Sequence, residues 1–206
     1  MTFAGEPLRI SVQHYAAQWE SFDQAAWKDL RPSCDLGLQR EAITRIVGMY
    51  RVARNLAKKR DVGSGYERYA PLLDAANATR ASATATATAP QLVHRMFEMV
   101  KERYGVQAVS LCSKVLWFAL RKPIVIYDDN TLTALRVQRG SYSTYLTEWR
   151  KQYERYRDAI DKAIHATSFE AFSVDTKTHS TEEWFRERVF DIALWRAGDR
   201  IKKNLQ

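Results

Sequence analysis

The sequence predicts an all-α protein of seven or eight helices, and three observations carry that expectation. Apolar residues recur every three or four positions over most of the chain. The most regular run is Tyr142, Tyr145, Trp149, Tyr153, Tyr156, Ile160 and Ile164, one stripe on a helix of about six turns. Stop signals such as Arg31-Pro32-Ser33 and Gly140-Ser141 fall between such runs. The only strict alternation, from Ala81 to Pro90, offers Ala, Ser and Thr alone, faces too small to anchor a sheet.

In chain order, Val12, Tyr15, Ala16, Trp19, Phe22, Ala26 and Trp27 predict a helix over about 11–30. A second is expected over about 39–60, with Ile43, Ile46, Val47, Tyr50, Ala53, Leu56 and Ala57 on one face and arginines and lysines on the others. Gly63-Ser64-Gly65 reads as a turn, followed by a short apolar segment around Tyr66–Ala76. Residues 81–90 read as an exposed loop that ends where Pro90 opens the next helix. That helix, about 91–104, carries Leu92, Val93, Met96, Phe97 and Val100. A helical hairpin is expected over about 107–139 and the long Tyr142–Ile164 helix after it. Residues 166–179 are polar. Ser180-Thr181-Glu182-Glu183 then reads as a capping box opening a helix that ends at Gly198. The organisation expected is a single domain, 1–206, of two lobes: about 1–80, a loop at 81–90, and 91–206.

The 206 residues are 46% hydrophobic and 27% charged, as in ordinary globular proteins. The charge balance is less ordinary. Thirty-two Lys and Arg against 24 Asp and Glu leave a net charge of +8, with a pI near 9.5. That favours a polyanionic partner, nucleic acid ahead of an acidic membrane. Two isolated cysteines, Cys34 and Cys112, exclude a four-thiolate iron–sulfur cluster and a disulfide framework. The four scattered histidines lack metal-ligand spacing, so neither metal nor other cofactor is expected. The first residues have no basic start or apolar core, and no run approaches a membrane span. A cytoplasmic monomer without membrane contact is the expectation.

Chemistry concentrates in Ser113-Lys114-Val115-Leu116-Trp117-Phe118 and, after Pro123 and an apolar stretch, in Tyr127-Asp128-Asp129. A lysine near a helix start, flanked by apolar side chains, can act as an amine nucleophile. An aspartate at a helix N-terminus is held anionic by unpaired N–H groups and the helix dipole. Amine plus fixed carboxylate suits attack on a sugar carbon and support of the positive charge developing there.

These residues resemble the helix-hairpin-helix (HhH-GPD) DNA glycosylases, most closely bacterial proteins similar to oxoguanine DNA glycosylase. A Ser/Thr-Lys pair opening the second hairpin helix is matched by Ser113-Lys114, and the Asp-opened helix by Asp128-Asp129-Asn130-Thr131-Leu132. Glu183-Trp184-Phe185-Arg186-Glu187-Arg188-Val189-Phe190-Asp191 with Leu194-Trp195 looks like a terminal helix of the same group. The resemblance covers roughly 90–200. It departs at the Gly-rich hairpin turn, for Val109-Ser110-Leu111-Cys112 precedes Ser113 and the nearest glycine is Gly105.

The resemblance implies a helical DNA-glycosylase-like fold and excision of a damaged or modified base from flipped-out duplex DNA. It implies Asp128 as the carboxylate that steadies the sugar charge and Lys114 as the amine that attacks. Asp129 stays open as the alternative carboxylate. Ser113, Arg121, Lys122, Arg136 and Arg139 are the candidate DNA contacts, since they cluster around the motif. Trp117, Tyr127, Tyr142 and Tyr145 are candidate walls of a base pocket. Arg188 and Asp191 share a helical face with Trp184 and Trp195. They read first as a buried ion pair between indoles and, by the resemblance, as part of that pocket. Release alone or with β-lyase cleavage, oxidised purine or modified pyrimidine, and repair or phage defence all stay open. So do a non-catalytic DNA-binding protein and a helical interaction module on the same fold.

Overall fold

Pro7 in the first turn and the stripe Leu8, Val12, Tyr15 and Ala16 build helix α1, Glu6–Gln18. A π-helical turn, Trp19–Asp23, follows, then α2, Gln24–Asp29. In the computed structural model, which describes residues 5–52, 56 and 68–205, the other helices are α3 Leu36–Met49, α4 Ala70–Ala81, α5 Ala89–Tyr104 and α6 Val109–Leu120. Then come α7 Asp129–Leu135, α8 Tyr142–His165, α9 Val174–His179 and α10 Glu183–Asn204. No strand forms among the described residues, and none of their helices is long and apolar enough to cross a membrane.

Contacts group the chain into two compact units. The first takes Met1–Phe22 and Tyr127–Gln206, the second Asp23–Ile126. This grouping does not follow the lobes expected on either side of 81–90. Residues 82–88 are a short turn inside the second unit, because α4 and α5, which they join, pack on each other.

In the first unit α10 packs along α1, α7 and α8. The α8 stripe is buried as its spacing predicts, from Tyr142 through Trp149, Tyr153 and Tyr156 to Ile160. Trp149 stacks on Tyr153 at 5.2 Å and meets Phe190 of α10 edge-on at 5.3 Å. On the other side of α10, Trp184 lies 4.9 Å from Trp19, and Phe185 lies 4.8 Å from Tyr15. Burying such rings contributes about 2–3 kcal/mol each. In the second unit α6 packs against α3, α4 and α5. It is buried from Leu111 to Phe118, as a helix apolar all round must be.

Several boundaries differ from the sequence pattern, each for a physical reason. The first expected helix is interrupted by the π-helical turn. The helix expected over 39–60 starts earlier, at Leu36, because Asp35 caps it by accepting from Gly37 N at 2.6 Å. It ends at Met49; Ala53, Ala57 and the Gly63-Ser64-Gly65 turn lie outside the described residues. The expected capping box at 180–183 does not form. Ser180 instead closes α9, its hydroxyl donating to Lys177 O at 2.7 Å, and α10 starts after Glu182. Nor does Gly198 end α10, which runs on to Asn204. That glycine is required by a close approach, since a β-carbon there would lie 1.8 Å from the carbonyl oxygen of Asn130 on α7.

Candidate functional site

The predicted catalytic pair is divided between the units, Asp128 in the first and Lys114 in the second. Each is built by its own local structure.

Asp128 follows the buried run Ile124–Tyr127 and has extended backbone angles, φ −139° and ψ 148°. That geometry makes it the N-cap of α7. Its carboxylate accepts from Asn130 N at 3.0 Å, which satisfies one of the first-turn N–H groups and fixes the carboxylate in the positive end of the helix. Asp129, one residue on, is engaged differently. It accepts from Arg139 Nε at 2.6 Å and from Lys202 Nζ at 3.1 Å. The Arg139 hydrogen bond first, then Lys202, holds its carboxyl below the usual carboxylate range. Lys202 Nζ also donates to Asn130 Oδ1 at 2.8 Å. The carboxylate with a local helix cap is thus Asp128, while Asp129 ties α7 to α10 and to the loop after α7.

Around Asp128 the first unit gathers phenols. Tyr127, Tyr142 and Tyr145 form a triad with ring centroids 5.0 Å (127 to 145), 6.1 Å (142 to 145) and 6.4 Å (127 to 142) apart. Tyr127 Oη accepts from Gly140 N at 3.1 Å. Tyr145 has 0% exposure. Burial pushes its phenol well above the ordinary value of 10, and Asp191, Tyr142 and Asp128 push it further. The phenol is therefore neutral.

The same unit holds Arg188 and Asp191, one turn apart on α10, in a buried ion pair. Arg188 also lies 5.3 Å over the ring of Tyr15. Trp184 is buried beside them, but Trp195 is 40% exposed, so the pair is not sandwiched by two indoles as the spacing alone suggests. Arg136 closes α7 in the left-handed conformation, φ 57°, with its side chain exposed. It borders an open groove of about 560 Å³ with Leu135, Val137, Ser143, Thr144, Thr147 and Glu148. Arg139 reaches solvent but spends its charge on Asp129.

In the second unit α6 starts at Val109, four residues before Ser113, so Lys114 is not at the helix start but in its interior. The early start has no local signal, because Ala108 caps the helix without a side chain. Lys114 is 4% exposed. Its Nζ donates to Ser110 Oγ at 2.8 Å and lies 6.0 Å from the Tyr50 ring. Ser113 is buried, and its hydroxyl donates to Ser110 O at 3.1 Å, turned to its own helix rather than outward. Trp117 is 1% exposed and packs edge-on to Phe118 at 4.9 Å. Expected as a wall of a base pocket, it is a core residue, because α6 is covered on all sides. Arg121 lies 3.7 Å over the Trp27 ring, a cation–π contact. Lys122, before the cis Pro123, is exposed.

Tyr50, half-buried just past the end of α3, donates its hydroxyl to Asp23 at 3.1 Å; the sequence marks it only as part of the apolar face expected over 39–60, and it gives no signal for Lys202. Gly198 had one: a glycine inside a helical pattern often marks a close approach. Among the described residues no three His, Cys, Asp or Glu side chains converge as metal ligands. No family model, curated protein or solved structure matches this chain.

Proposed function

We propose that this protein is a DNA N-glycosylase that excises a damaged or modified base. The observation that carries the reading is Asp128, a carboxylate fixed by a helix N-cap and directly following Tyr127 of the Tyr127–Tyr142–Tyr145 ring triad. A fixed anion near aromatic rings suits a positively charged deoxyribose and a stacked base. The net charge of +8, with Arg136 and Lys122 exposed, supports a polyanionic substrate.

In this reading the target nucleotide is flipped from the duplex, since its glycosidic bond is unreachable within the stack. Asp128 stabilises charge on the sugar as the C1′–N bond breaks and the base leaves with the bonding electrons. In the amine route that the resemblance implies, a lysine amine, which the motif assigns to Lys114, adds to C1′ and loses a proton. Protonation of O4′ opens this N,O-acetal to an imine, and loss of a C2′ proton then expels the 3′-phosphate by β-elimination. A second reading, release by water alone, is favoured by the burial of Lys114 and its hydrogen bond to Ser110.

Borohydride trapping on a panel of oxidised-purine and modified-pyrimidine duplexes tests both. A covalent adduct lost in Lys114→Gln supports the amine route. Base release that survives in Lys114→Gln with no adduct supports water. Release from no duplex on the panel overturns the glycosylase reading.

A further inference from the structure

The first turn of α7 is gripped from one side by α10. Gly198 brings the α10 backbone against Asn130, where a β-carbon would meet the carbonyl carbon at 2.5 Å and the oxygen at 1.8 Å. One helical turn further on, Lys202 Nζ spans Asp129 Oδ2 at 3.1 Å and Asn130 Oδ1 at 2.8 Å. The backbone N–H of that same Asn130 is the donor to Asp128 Oδ1. One residue therefore joins three events: backbone contact with Gly198, side-chain contact with Lys202, and the hydrogen bond that aims Asp128.

We propose that Gly198 and Lys202 form a clamp that sets the direction of the Asp128 carboxylate, with Lys202 a positioning residue for base release. The catalytic part of this statement rests on the glycosylase reading; the clamp itself does not. Asp129 has a second cation, Arg139, but that side chain is 75% exposed against 35% for Lys202. Solvent and salt screen the Arg139 pair more strongly. Only Lys202 bridges to Asn130 in addition. A loose first turn lets the carboxylate swing, and a misplacement of about 1 Å at a reacting centre costs on the order of a hundredfold in rate.

The test compares wild type, Lys202→Met and Lys202→Arg in the full chain. Lys202→Met keeps the stem of a partly exposed side chain and removes only its charge and donors, while Arg restores a cation. The first readout needs no substrate: the amide proton shift and hydrogen exchange of Asn130 by NMR. Lys202→Met is expected to speed Asn130 exchange by about tenfold or more, with Arg restoring protection and core amides of α8 unchanged. The second readout is single-turnover base release on the duplex that wild type processes best. Its rate is expected to fall about tenfold or more in Lys202→Met, with duplex affinity unchanged. An Asn130 amide that does not respond overturns the clamp, whatever the enzymology. A responding amide with unaltered base release leaves the mechanical clamp standing and overturns the positioning role. A responding amide in a protein that releases no base supports the clamp and overturns the glycosylase reading alone.

Discussion

Gly198 of α10 and Asn130 of α7 touch backbone to backbone, with no room for a β-carbon between them. Neither partner is a flexible side-chain end that can swing aside. Gly198→Ala is therefore expected to destabilise the protein by about 3 kcal/mol or more, at the upper end of overpacking costs, although alanine is the better helix former. Chemical denaturation checks this, and a change below about 1 kcal/mol would show that α10 shifts freely.

Asp129 gives a pH dependence with a definite sign. Its carboxyl is depressed below the ordinary value of 3.8, chiefly by Arg139. A depressed acid adds stability that is fully present above its unfolded-state pKa and is lost as pH falls through the folded one. Wild-type stability should therefore drop more steeply below about pH 4 than that of Asp129→Asn. Parallel curves in urea titrations across pH 2–5 would refute the assignment.

The buried Arg188–Asp191 pair should show strong coupling. Replacing one partner strands the other charge, so Arg188→Met alone is expected to cost about 3–5 kcal/mol. Arg188→Met with Asp191→Leu should recover most of that loss. A double-mutant cycle measures the coupling, and additive losses would mean that the two charges are independently solvated.

The basic residues should not be equivalent in duplex binding. Lys122 and Arg136 are exposed, whereas Arg121 stacks on Trp27 and Arg139 pairs with Asp129. Charge reversal at Lys122 or Arg136 should weaken binding to every sequence alike and flatten the log–log salt dependence by about one unit per phosphate lost. Reversal at Arg121 or Arg139 should also lower thermal stability. Salt-independent binding would remove the electrostatic basis for a nucleic-acid partner.

What the sequence reveals here depends on the range of the interaction. The α8 stripe is legible because amphipathic spacing is a local property, and Asp128 is legible as a cap because an Asp before a helical run bonds its own backbone two residues on. Lys114 misleads. Its apolar neighbours look the same at a helix start and in a buried interior, and the side-chain-free cap at Ala108 leaves nothing to mark the difference. Gly198 misleads for the opposite reason, as a glycine near a helix end normally stops it and only the chain of α7 explains why it does not. Lys202 is illegible because its partners lie on another helix.

The first unit has its two parts on either side of the second in the chain. A ribosome therefore delivers α2 through α6, which pack on one another, before it makes any of α7 to α10. Throughout that interval α1 has emerged without α8 or α10, the helices against which it comes to rest. Vectorial synthesis thus sets an order of assembly, in which α2 to α6 can pack on one another while the chain is still growing and the Asp128 cluster closes only when α10 leaves the exit tunnel.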